Sequence, residues 1–256
     1  MTTQAPGIGS FFEQAPPNET REARESRREA FRAKRVAEIP AGYSPTLHLL
    51  GPASLAVAVL VASVWLIHDL RAVELLTIPI TLFLGFGFEW RVHKSILHAR
   101  TPGFSILYVR HELQHHVIYT HDDMTMRDRR ERRLVMMPGY AIVLVFGMLV
   151  PLGFVVWRLL GLNVTLIFLA TSMIFFLVYE LMHLAYHLPP EHPVSKIRLV
   201  QRLRELHRRH HDPRLMKRWN FNVTFPVFDW IHGTNWTEER ERERDEKRAA
   251  RAVKRA

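Results

Sequence analysis

The residues of this sequence best suited to chemistry are its histidines, and ten of the fifteen fall in four short boxes. The boxes are, in chain order, His93 with His98; His111 with His115 and His116; His183 with His187; and His207 with His210 and His211. Neutral imidazole binds iron, zinc and copper alike, so these ligands leave the metal open. The sequence has no cysteine, which excludes thiolate ligands. Because ten imidazoles exceed what one ion can bind, the boxes predict a site for two metal ions.

The spacing within each box predicts which histidines share a helix face. Residues three or four apart lie on the same face of an α-helix, so His183 and His187 should point in one direction. The same spacing predicts one shared direction for the first two histidines of the second box and for all three of the fourth. His93 and His98 are five apart, which turns an ideal helix by about 140°. Either the helix ends between those two or they bind different metals.

Four apolar blocks flank the boxes. They run from about Leu47 to Ile67, Val73 to Trp90, Pro138 to Trp157 and Leu162 to His183. Each approaches the ~20 residues that cross the hydrocarbon core of a bilayer as a helix. A buried helix of a soluble bundle keeps a polar stripe, and these blocks have almost none. We therefore predict an all-α integral membrane protein with about four transmembrane helices.

The basic residues predict the orientation of these helices. Arg71 and Arg158 stand in the two short linkers, and every other Lys and Arg lies before the first block, in 91–137 or after the fourth block. The positive-inside rule places those three regions, both termini and all four boxes on the cytoplasmic side. Clusters that are distant in the sequence but lie on one membrane face suggest one shared site. The net charge of +10 accompanies apolar blocks, so the expected partner is a bilayer and not nucleic acid.

The chain divides into three parts. Residues 1–40 form a polar head, with no signal peptide, a disordered start and a solvated or membrane-surface helix rich in Arg and Glu. Residues 41–236 form the membrane domain, and residues 237–256 form a charged, helix-forming tail. Five histidines lie outside the boxes, and the pattern favours a surface or core role for each: His48, His68, His121, His192 and His232.

Over residues 79–236 the boxes resemble those of the fatty acid hydroxylase/sterol desaturase superfamily of membrane di-iron enzymes. Their order is similar to that of the fatty acid 2-hydroxylase branch. The segment 133–138 resembles the family's lead into its third span, and Asn220 to Thr234 resembles its closing motif, with Asn222 where glycine is usual. The resemblance implies a four-helix membrane core capped by a cytosolic helical domain that holds a dimetal site of two iron ions. It also implies dioxygen as co-substrate, a fatty acyl or sterol-like membrane lipid as substrate, and electrons from a separate donor protein. The oligomeric state stays open.

Polar side chains near the boxes are candidates for catalysis or for orienting the ligands. A ligating imidazole usually donates its second N–H to a carboxylate or a carbonyl. Glu180 and Glu89 each lie one turn before a box histidine, and Asp229 and Asn220 lie in the closing motif. We assign Asp229, Asn220 and Glu180 to the catalytic site. An aromatic stripe in the second block is expected to pack or to face lipid: Phe83, Phe86, Phe88 and Trp90.

The predicted function is hydroxylation of an unactivated C–H bond of a lipid, that is, a monooxygenase. A desaturase of the same superfamily begins with the same hydrogen abstraction and is an alternative. A zinc-dependent membrane hydrolase is another, and it would use a motif such as H-E-x-x-H. His111-Glu112 begins like one, with a histidine four residues on, but another histidine follows directly and the remaining boxes would be superfluous. A transporter should bind its ligands at mid-membrane, whereas the boxes lie at the membrane edge. A basic membrane scaffold would leave the boxes unexplained.

Overall fold

The structure is a computed structural model that describes residues 18–253, except for the side chains at 140–143, 146, 248, 249 and 251–253. The predicted disordered start of the head lies outside these residues. Within the described range the chain forms helices and loops without strands. The α-helices are α1 (Arg21–Ala37), α2 (Pro45–Leu66), α3 (Thr77–Val92), α4 (Ser105–Arg110), α5 (His116–Ile118), α6 (Arg132–Val135), α7 (Gly139–Leu160), α8 (Leu162–Tyr186), α9 (Arg198–His210), α10 (Val227–Ile231) and α11 (Glu238–Val253). Two π-helical turns follow α3 and α4, at His93–Leu97 and His111–His115.

Three helical segments of the described chain are long and apolar enough to cross a membrane: Pro45–Leu66, Ala72–Leu97 and Leu162–Tyr186. They correspond to the first, second and fourth apolar blocks. In the third block α7 forms as a helix, and its described apolar stretch, Gly147–Leu160, is shorter than a span. The described chain therefore has three candidate membrane helices, and a fourth stays a prediction.

Helix α8 lies at the centre of the apolar part, where it packs against α2, α3 and α7. Gly161, at φ 91°, is the single residue between α7 and α8, and this left-handed conformation suits glycine because it has no Cβ. The outer faces carry exposed apolar side chains, among them Trp65 at 78% and Leu159 at 75% exposure. Such a surface is stable against lipid and unfavourable in water.

The polar ends of α3 and α8 carry a helical cap. Helix α9 packs on α8, and α10 packs on α3. The second contact is close, because a Cβ at Gly87 would lie 2.7 Å from the ring of Phe228. The closing motif is thereby held against the end of the second membrane segment.

Helix α1 also packs on this cap, next to α5 and the loop between α5 and α6 (residues 119–131, the α5–α6 loop). The sequence predicted a solvated or membrane-surface helix here, and most residues of α1 are exposed. Arg32 is the exception, because it is only 3% exposed and pairs with Glu131. The predicted domain boundaries at residues 40 and 236 stay predictions.

Candidate metal centre

The ten box histidines gather into two groups of five buried imidazoles. Within each group the ligand nitrogens all lie within 4.8 Å of one another, so each group could hold a metal ion. Centre one comprises His93, His98, His111, His116 and His210. Centre two comprises His115, His183, His187, His207 and His211. All ten predicted ligands are thus brought together, and their binding of metal stays a prediction.

Two π-helical turns explain the five-residue spacings in centre one. The turn at His93–Leu97 places His93 and His98 together, with ring centroids 5.0 Å apart. The next turn does the same for His111 and His116, at 4.7 Å. The hydrogen bonds of a π-helix join residues five apart, which stacks such residues along one face. The sequence left two alternatives for His93 and His98, a helix end between them or two different metals. The structure shows a third, a wider helical turn that brings both into one group.

The second and fourth boxes are each divided between the centres, contrary to the expectation of one shared face. In the second box His115 belongs to centre two while both neighbours in the box belong to centre one. In the fourth box His210 faces centre one, and His207 and His211 face centre two. Only the third box behaves as its spacing predicts, with His183 and His187 both in centre two.

Hydrogen bonds to backbone carbonyls fix the tautomer of two imidazoles in centre one. The Nδ1–H groups of His93 and His210 donate to the carbonyl oxygens of Phe221 and Trp219, the second at 3.0 Å. Since a carbonyl only accepts, each Nε2 carries a lone pair. These lone pairs face the Nε2 of His98, which lies 3.3 Å from the Nε2 of His93 and 2.9 Å from the Nε2 of His210. Two nitrogens bound at about 2.1 Å to one ion and at right angles to each other would be about 3.0 Å apart, so the arrangement fits a bound cation.

Centre two is oriented in the same way. Three of its ligands donate Nδ1–H to backbone carbonyls at 2.5–3.1 Å: His187 to Met124, His211 to Tyr119 and His115 to Leu134. The buried Nε2 of His187 has no hydrogen-bond partner in the described structure. A buried polar nitrogen without a partner is costly, and a metal ion would supply that partner.

The two centres lie side by side. The ring of His116 in centre one stacks on that of His211 in centre two, with centroids 4.1 Å apart. Burial lowers the pKa of both imidazoles well below the usual value, and neighbouring imidazoles lower it further. They are therefore neutral near pH 7, which is the form that binds a metal.

Glu112 is a site residue whose role the sequence did not reveal. Its Oε2 accepts a hydrogen bond from Nδ1 of His98 at 3.1 Å, and its Oε1 lies 2.8 Å from Nζ of Lys217. Burial by itself would raise the pKa of Glu112, but the hydrogen bonds from His98 and Lys217 lower it below the usual value. The carboxylate is thus charged. Its position within the second box was a sequence signal for a site residue. Its partners, His98 and Lys217, lie elsewhere in the chain, so its contacts could not be predicted.

Asp229 holds the closing motif. Its two carboxylate oxygens accept hydrogen bonds from the backbone N–H groups of Phe221 and Asn222, at 3.0 and 2.8 Å. Burial raises the pKa of Asp229, although these hydrogen bonds partly offset the shift. Since the carbonyl of Phe221 accepts from His93, Asp229 acts on a ligand through the backbone. A catalytic role for it stays a prediction.

The other predicted polar residues also bind backbone groups. Asn220 bridges the carbonyl of Leu206 and the N–H of Trp236, and Glu180 accepts from the N–H of Met137 at 3.1 Å. Glu89 accepts from the N–H groups of Val223 and Thr224. These contacts position α7, α9 and the closing motif, and a catalytic role for Asn220 and Glu180 stays a prediction.

Asn222, the departure from the glycine of the resembled motif, makes three hydrogen bonds through its side chain. Its amide donates to the carbonyl of Phe86 at 2.9 Å, and its Oδ1 accepts from the N–H groups of Phe228 and Asp229. It therefore ties α3 to the start of α10. Its φ is not positive, so the backbone here does not require glycine.

An apolar cavity of about 430 Å³ lies between α3, α7 and α8. It is lined by side chains such as Leu84, Leu149 and Phe175, and it reaches His93 of centre one. Phe88 also lines it and is 53% exposed, which agrees with the expectation that it packs or faces lipid. Trp90 is buried as expected and stacks on His232. The cavity therefore connects the apolar part of the fold to a candidate ligand.

The five histidines outside the boxes belong to neither centre. His48 contacts the carbonyl of Met137 at 2.9 Å, and His121 lies beside Asp122. The other three are exposed: His68, His192 and His232.

Comparison with known proteins gives a likeness of fold. No family model and no curated protein matches the sequence. The structure is similar to one described as full-length scs7p with only its hydroxylase domain visible, with a TM-score of 0.52 and 18% sequence identity. The similarity covers 73% of this chain and 65% of that one, slightly less than two thirds. At this identity the likeness establishes the fold: the chain folds like that hydroxylase domain.

Proposed function

We propose that the protein is a membrane-bound lipid hydroxylase of the fatty acid hydroxylase superfamily. The observation that carries the proposal is the apolar cavity that runs between α3, α7 and α8 to His93, beside two buried groups of five histidines. A site that couples a metal centre to an apolar cavity in a membrane protein suits a lipid chain. The fold shared with a hydroxylase domain supports the same reading.

Two iron ions, when bound, would supply the activation of dioxygen needed to hydroxylate a C–H bond. The balanced reaction takes one lipid C–H group, dioxygen, two electrons and two protons, and yields the alcohol and water. The electrons would come from a separate donor protein. The chain would hold the ions through ten neutral imidazoles, and its apolar cavity would orient the lipid and exclude water from the reacting carbon.

A desaturase would use the same centres and the same cavity, so desaturation of the lipid is the alternative reaction. A zinc hydrolase fits less well. A motif of the H-E-x-x-H type requires both histidines on one metal, whereas His111 and His115 lie in different centres. The carboxylate of Glu112, which would be the base, is bound to His98 and Lys217.

We further propose that both centres and both termini lie on the cytoplasmic side of the membrane. The three membrane-spanning candidates support a multi-pass protein. The orientation rests on the scarcity of Lys and Arg in the two short linkers.

The first test is the metal content of the detergent-purified chain from cells supplied with iron. About two irons per chain are expected, with a lower content in His183→Ala. His192→Ala is the matched control, since that imidazole is exposed and outside both centres. A wild-type chain that binds no transition metal would overturn the proposal.

The second test compares lipid extracts from cells with the wild-type chain and with His183→Ala. Lipids that have gained one oxygen atom should occur only with the wild type. Lipids that have instead lost two hydrogen atoms would identify a desaturase.

A further inference from the structure

The α5–α6 loop orients two ligands of centre two. The carbonyl of Tyr119 accepts the Nδ1–H of His211 at 2.5 Å, and that of Met124 accepts the Nδ1–H of His187 at 2.7 Å. The positions of these carbonyls set the directions in which both imidazoles present Nε2. Centre two therefore depends on where this loop lies.

Helix α1 binds the same loop through a buried arginine. The guanidinium of Arg32 donates to both carboxylate oxygens of Glu131, at 2.6 and 3.2 Å, and to the carbonyl of Thr125 at 2.8 Å. The hydroxyl of Tyr119 donates to the same carboxylate at 2.8 Å. Arg32 and Glu131 are each 3% exposed. The planar fork of arginine matches a carboxylate in this bidentate geometry. Arg32 therefore fixes Glu131 and Thr125 directly, and Tyr119 through Glu131.

Two further contacts of α1 with the loop lie one turn before Arg32. One turn earlier Arg28 donates to the hydroxyl of Thr120 at 3.2 Å, and Glu29 pairs with Arg127. The acceptors for centre one lie elsewhere, at Trp219 and Phe221 beside the closing motif and at Glu112 in the second box. The support from α1 is therefore directed at centre two.

We propose that Arg32 is a positioning residue for centre two, and that the N-terminal helix is thereby a structural part of the metal site. The inference rests on the proposed function, because it assumes that both centres bind metal. Loss of a group that orients a metal ligand typically lowers metal affinity by about 10–100-fold. Removing the hydrogen bonds of Arg32 to the loop should lower the metal affinity of centre two by the same factor. The metal affinity of centre one should not change.

The main test uses the full-length chain with Arg32→Met and Glu131→Gln combined. Removing both charges avoids an unpaired buried carboxylate, and glutamine still accepts from Tyr119. The metal-loaded protein is titrated with a chelator, and the release of each ion is measured. One of the two ions should bind about 10–100-fold more weakly than in the wild type. Arg21→Gln is the matched control, since Arg21 lies on the same helix in an exposed pair with Glu25.

Combination with a ligand variant identifies the affected centre. In a His210→Ala background, where centre one is impaired, the double change should weaken the ion that remains. In a His207→Ala background, where centre two is impaired, it should have no further effect on the remaining ion.

The inference is overturned if the folded double variant keeps both ions with wild-type affinity, or if the weakened ion belongs to centre one. If the double variant does not fold, Arg32→Lys decides by the same titration, because it keeps the charge and loses the fork. A wild-type chain without metal would overturn the proposed function, and this inference with it.

Discussion

At the residue scale, Glu112 distinguishes His98 from the other candidate ligands whose Nδ1 is hydrogen-bonded. Five ligand imidazoles donate Nδ1–H to backbone carbonyls, while His98 donates to a charged carboxylate. A carboxylate raises the basicity of the imidazole that it binds and so strengthens its bond to a metal. The ion pair with Lys217 keeps that carboxylate charged at the edge of the site.

We expect Glu112→Gln to lower metal affinity at centre one by about 10–100-fold, because the hydrogen bond to His98 remains while the charge is lost. Chelator titration of the purified, metal-loaded chain measures the effect. Asp122→Asn is the control, since Asp122 is exposed and contacts His121, which belongs to neither centre. Unchanged affinity in Glu112→Gln would show that the charge has no part in binding.

At the scale of elements, the sequence predicted the helices and the ten clustered histidines but not how the histidines are shared. The apolar blocks are local patterns, so α2, α3 and α8 could be predicted from hydropathy alone. The division into two centres depends on two π-turns, and no local pattern marks where a helix widens. The acceptors at Phe221 and Met124 are backbone carbonyls, which every residue carries, so no residue type identifies them. The burial of Arg32 depends on Glu131, which is distant in the sequence.

The contact between α3 and α10 gives a prediction at this scale. A Cβ at Gly87 would lie 2.7 Å from the ring of Phe228, and Phe228 in turn packs on Phe83. Gly87→Val should therefore force the two helices apart and destabilise the protein by about 1–3 kcal/mol, as overpacking typically does. A lower unfolding temperature in detergent is the expected result.

Gly147→Val is the matched control for this change. A Cβ at Gly147 meets no atom within 4 Å, and the residue lies in a membrane-side helix as Gly87 does. An equal loss of stability in both variants would assign the effect to valine in a helix and not to the contact with α10.

At the scale of the whole molecule, the cavity joins the apolar helices to the candidate metal centre. Its walls come from three helices of the apolar region, and it reaches His93 of centre one. A lipid chain that enters between the helices would leave its headgroup outside and bring one carbon to the metal. The depth of the cavity, set by residues remote from the metal, would then decide which carbon reacts and how long a chain is accepted.

Ser172 on α8 lines this cavity, and Ser172→Phe should narrow it. We expect less oxygenated product from long-chain lipids, a smaller loss for shorter chains, and an unchanged metal content, because no ligand is altered. Leu159→Phe, on the exposed face of α7, is the control and should leave products and metal unchanged. Product analysis of lipid extracts beside metal analysis of the same preparations separates the outcomes. Equal products from Ser172→Phe and the wild type at every chain length would show that the substrate does not occupy this cavity.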